Sequence, residues 1–133
     1  DNRDVLDVLK SELNFVEKGG YGKPAGKPWV STSIFRDSPS CLNLGDPART
    51  HPCTECLLTD LVPPGDRNQS VPCHHIPLTE TGETVATIEA RDNQQELEER
   101  VETWLRSTIA RIEHERAAIR PDPLAVRHFG PAG

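Results

Sequence analysis

The sequence is short of the residues from which a hydrophobic core is built. Aromatic side chains make up 5% of its 133 positions, and hydrophobic residues of all kinds only 35%. A chain of this length forms one ordinary domain with a modest core. So lean a composition favours an added crosslink or an oligomer. Also missing is any apolar run near the ~18 residues needed to cross a bilayer, so no membrane span is expected. The opening Asp1-Asn2-Arg3-Asp4 is not the start of a signal peptide, and a reducing cytoplasm is the default location. Positive charge is not in excess: the formal net charge is −6, which repels a phosphate backbone and makes nucleic acid an unlikely partner.

The usual catalytic constellations are missing too. No Ser/His/Asp arrangement, paired carboxylates or phosphate loop can be assembled from the sequence, so no catalytic residue is assigned and an enzyme is the less favoured class. Gly19-Gly20-Tyr21-Gly22-Lys23-Pro24-Ala25-Gly26-Lys27-Pro28 is rich in glycine, but it follows a helix. A nucleotide loop follows a strand and opens a helix.

What the chain does have is four cysteines, all between Ser40 and His75. Eleven residues separate Cys41 from Cys53, two separate Cys53 from Cys56, and sixteen separate Cys56 from Cys73. A Cys-x-x-Cys pair puts two sulfurs on one tight turn, where both reach a single tetrahedral ion, and Cys41 and Cys73 would fold over to complete the cage. Four uses of these thiols compete. The preferred one is a structural Zn²⁺ held by Cys41, Cys53, Cys56 and Cys73, or by three of them with His51, His74 or His75. The same thiolates could carry an iron–sulfur cluster, although no C-x₂-C-x₂-C-x₃-C-P run is present. Disulfides suit a secreted domain. A dithiol redox site at Cys53-Thr54-Glu55-Cys56 would need a βαβ setting that the sequence does not offer. A catalytic zinc would want a carboxylate base, for which Glu55 is the one candidate close in sequence.

Around this segment the periodicities predict an α+β fold. Val5, Leu6, Leu9, Leu13 and Val16 define an amphipathic helix over residues 3–18 with Asn2 as N-cap. Trp29–Phe35 reads as a strand, and Leu57–Leu61 as a short helix. Val71–Leu78 and Glu83–Ile88 bracket Thr79-Glu80-Thr81-Gly82 as a β-hairpin, with Gly82 supplying a positive φ. A long helix over residues 93–120 carries an apolar stripe of Leu97, Val101, Trp104, Leu105, Thr108, Ile109 and Ile112. Residues 1–120 are thus expected to form a single metal-stapled domain: the N-terminal helix within 1–20, a Cys-rich β region over 29–92, and the long helix. The tail 121–133 should lack fixed structure on its own. At about 1.5 Å per residue the long helix would overhang so small a body. Its stripe would then meet a second copy or a larger partner, making the protein a homodimer or an accessory subunit; in a monomer the N-terminal helix would cover it instead.

Overall fold

The computed structural model describes residues 1–22, 32–46 and 48–119. Three α-helices carry the architecture: α1 (Val5–Glu17), α2 (Val85–Glu89) and α3 (Gln94–Ile119). Four short 3₁₀ turns, Cys53–Glu55, Leu57–Leu61, Pro64–Asp66 and Pro72–His75, lie between α1 and α2. The described residues contain no β-strand, so the expected α+β fold with its hairpin is replaced by an all-helical one.

The hairpin fails for a local reason. Its turn forms: Gly82 N–H donates to the Thr79 carbonyl at 3.0 Å, Leu78 N–H donates to the Glu83 carbonyl at 2.7 Å, and Gly82 has φ +84°. The second arm does not extend, because Thr84 and Thr87 form a capping box that starts α2 and satisfies two otherwise unpaired N–H groups. Val85 and Ile88, one helical turn apart, then both reach full burial. The first arm coils into the Pro72–His75 turn, with Pro72 at its first turn, a position that does not need its missing N–H. Of the expected strand Trp29–Phe35, residues 29–31 lie outside the described residues. Ile34–Asp37 form a turn, with Phe35 in the left-handed region at φ 66°. The connector beyond Gly22 and the tail 121–133 also fall outside.

Both long helices form where the apolar periods place them. Asp4, not Asn2, is the N-cap of α1, its side chain accepting from Leu6 N–H at 3.1 Å. Asn93 takes the Glu96 N–H at 3.0 Å at the start of α3. Ion pairs set the relative direction of the two: Asp4 meets Arg116, Lys10 meets Glu113, and Glu17 meets Arg106. Numbers rise along α1 as they fall along α3, so the helices are antiparallel.

Between them, Leu6, Leu9 and Val16 pack with Leu97, Val101, Trp104, Leu105 and Ile109 in one core that also includes Ile34, Phe35, Leu58, Val62 and Ile76. The stripe of α3 that was expected to await a partner is therefore buried within the chain. Its 26 residues span about 39 Å, but α1 runs beside them as far as Arg116.

Candidate metal site

Cys41, Cys53, Cys56 and Cys73 line one cavity of about 30 Å³, together with Phe35, Arg36, Leu42, Asn43, His51 and Leu58. Each cysteine arrives on a tight turn. Cys56 N–H donates to the Cys53 carbonyl at 3.0 Å, closing the Cys-x-x-Cys turn, and the Thr59 hydroxyl donates to the same carbonyl at 2.5 Å. Cys41 N–H donates to the Ser38 carbonyl at 3.1 Å. Cys73 lies in the Pro72–His75 turn, which packs against Leu57–Leu61 and so against the segment carrying Cys56.

All four cysteines are free thiols, none in a disulfide. Sharing a cavity is not yet coordination. Among the described residues, no group of three or more His, Cys, Asp or Glu side chains has the geometry to hold an ion. The sulfurs border one space without converging on one point.

Their electrostatics reflect that proximity. Burial pushes the Cys73 thiol up to about 12, and Cys56, Cys53 and Cys41 add to the rise, because a thiolate there would face three others. Burial also raises Cys56. Arg36 acts in the opposite sense on Cys73, as Arg3 does on Cys56. A cation among the sulfurs would invert this balance, turning mutual repulsion into ligation and releasing the protons.

The histidines separate clearly. His51 borders the cavity, but its side chain is half exposed and its Nδ1 lies 3.6 Å from Glu55. His74 is buried and points elsewhere: its Nε2 is 2.7 Å from the Ile34 carbonyl and 3.2 Å from Ser33 Oγ. A proton on Nε2, donated to that carbonyl, leaves no lone pair there for a metal. Burial is also the main cause holding His74 below the ordinary imidazole range. His75 ends the same turn, half-buried, and does not border the cavity.

The sequence also left Asn43, which borders the cavity, without a role. Asn43 clips residues 43 and 51 together, its amide donating to the His51 carbonyl at 2.8 Å and its oxygen accepting from His51 N–H at 2.9 Å. Within that loop, Asp46 accepts from Ala48 N–H, Thr50 N–H and the Thr50 hydroxyl, and these bonds, the hydroxyl's first, hold its carboxyl below the usual range. The loop thus has polar ties of its own. Asn43 and Asp46 were the available clue, since both residue types close loops on nearby backbone.

No helix among the described residues is long and apolar enough to cross a membrane. Compared with protein families, curated proteins and solved structures, the chain matches none of them.

Proposed function

We propose that the chain is a zinc-binding structural protein in which Cys41, Cys53, Cys56 and Cys73 hold one Zn²⁺ and staple the loops between α1 and α2. The observation that carries this reading is that four thiols, spread over three turns, line one cavity. Ligation would draw the sulfurs inward to about 2.3 Å from the ion. The four free thiols suit a reducing compartment such as the cytoplasm.

The reading includes an accessory role, and here the contact surface differs from the buried stripe. What α3 still offers a partner or a second copy is its C-terminal end, where Ile119 is 77% exposed beside half-buried Ile112 and Leu61.

Purification under reducing conditions without added chelator, followed by elemental analysis and a visible spectrum, tests the proposal. One zinc per chain in colourless protein is expected, lost on replacing any of the four cysteines by serine and kept in His51→Ala. Brown protein containing iron and sulfide would establish a cluster instead. Metal-free protein that takes up no zinc would overturn the reading altogether.

A further inference from the structure

Glu12 lies on α1, 1% exposed, yet it does not face the solvent or a basic residue. Three hydroxyls surround its carboxyl group. Tyr21 donates to Oε2, and Ser38 (2.6 Å) and Ser40 donate to Oε1. Tyr21 Oη in turn accepts the Phe35 N–H at 2.8 Å, so its own proton is free for Glu12. A buried polar hub of this kind fixes the groups it joins, because each lost partner strands another in a dry site.

The groups it joins lie behind the cysteine cavity and are bonded to two residues that line it, Phe35 and Cys41. Ser40 immediately precedes Cys41, and its carbonyl is also held by Arg3 at 2.9 Å. Ser38 accepts Cys41 N–H through its carbonyl and Ser40 N–H through its hydroxyl. Phe35, bordering the cavity, is kept at φ 66°, a conformation that costs a non-glycine residue about 1 kcal/mol or more and persists only where its surroundings impose it. The hub therefore reaches the cavity twice, through Ser40 to Cys41 and through Tyr21 to Phe35.

We infer that Glu12 is the positioning residue of the metal site, setting where Cys41 stands relative to the other three sulfurs. This rests on the zinc reading above. A group that orients a ligand from outside the coordination sphere typically contributes about 10- to 100-fold in metal affinity.

The test is Co²⁺ titration of the reduced full chain, in which the intensity of the sulfur-to-cobalt charge-transfer band counts bound thiolates. Wild type should give a four-sulfur spectrum. Glu12→Gln, and Ser40→Ala, which removes only the link nearest Cys41, should each give a three-sulfur spectrum or bind cobalt at least about tenfold more weakly. Glu17→Gln, on the exposed face of α1, should match wild type. A role confined to stability would lower the melting temperature and leave the sulfur count alone. Ser40→Ala decides should Glu12→Gln not fold. Four-sulfur spectra at wild-type affinity in the folded variants would overturn the assignment, and a wild type that takes up no cobalt would instead remove the zinc reading beneath it.

Discussion

Arg116, near the end of α3, holds Asp4 at the start of α1 with two nitrogens, 2.6 and 3.1 Å from the two carboxyl oxygens. The same carboxyl group caps α1 through Leu6 N–H. Hydrogen bonding from Arg116 is the foremost cause holding Asp4 below its ordinary value of 3.8. A carboxyl whose pKa is depressed by folding stabilises the protein above its unfolded pKa, and the contribution disappears as pH falls through the folded one. Asp4→Asn keeps an N-cap but drops the charge. Denaturant midpoints of wild type and Asp4→Asn should therefore differ at neutral pH and converge as the pH falls below the ordinary carboxyl value of 3.8. Both partners are exposed, so the difference should be small and shrink in salt. A gap unchanged at acid pH would assign the effect elsewhere.

Leu105 is fully buried on the face of α3 that meets α1. Leu105→Ala should cost about 3 kcal/mol by chemical denaturation, as cavity-forming core truncations do. The mass in solution should stay as in wild type, because the side chain packs within its own chain. A changed oligomeric state with unaltered stability would return this stripe to the role of an interface.

Tyr21→Phe keeps the ring, which packs edge-on to Phe15 with centroids 4.9 Å apart, and removes one hydroxyl. Burial, reinforced by the Glu12 carboxyl, pushes the phenol upward, so in wild type it stays protonated and donating. Its loss leaves Glu12 one donor short and the Phe35 N–H without an acceptor. Roughly 3 kcal/mol of stability should go with it, measured by the same denaturant titration. A cost under about 1 kcal/mol would mean that water replaces the hydroxyl.

Gly82 has φ +84° with open space where a Cβ would stand. Gly82→Ala should then cost about 1 kcal/mol from backbone strain alone, and Gly82→Asn less, since asparagine tolerates this region better. Equal melting temperatures for all three proteins would contradict the turn geometry.

On the zinc reading proposed above, treatment with a chelator should expose the segment between Cys41 and Cys73 to hydrogen exchange while α1 and α3 keep most of their protection. The helices draw their stability from their shared apolar interface and not from the sulfurs. Identical exchange with and without chelator would count against the staple.

Reading the sequence recovered the two long helices because their three- and four-residue apolar periods are long enough to average over local exceptions. It also found the Thr79–Gly82 turn, whose glycine is needed for a positive φ. It failed on either side of that turn, where Val, Ile and Thr suggested strands by composition. There Thr84 and Thr87, three positions apart, cap a helix instead, and the sixteen residues between Cys56 and Cys73 close through prolines and 3₁₀ turns that have no period to detect. The cysteine spacing anticipated that the thiols would share a locale, but not which histidine would border it. His74 is withdrawn by a carbonyl forty residues away at Ile34, and such distant pairings leave no mark on neighbouring sequence. Glu12 has the charge of a surface residue, although three hydroxyls supplied by later segments take it inside.

Phe35 both borders the cysteine cavity and packs against Trp104, the two rings edge-on with centroids 6.0 Å apart. The wall of the cavity is thus shared with the indole environment at the middle of α3. Trp104 becomes an intrinsic fluorophore one ring removed from the sulfurs. In a Trp29→Phe background its emission can be followed alone, so a shift in wavelength or intensity would track events at the thiols without any attached label.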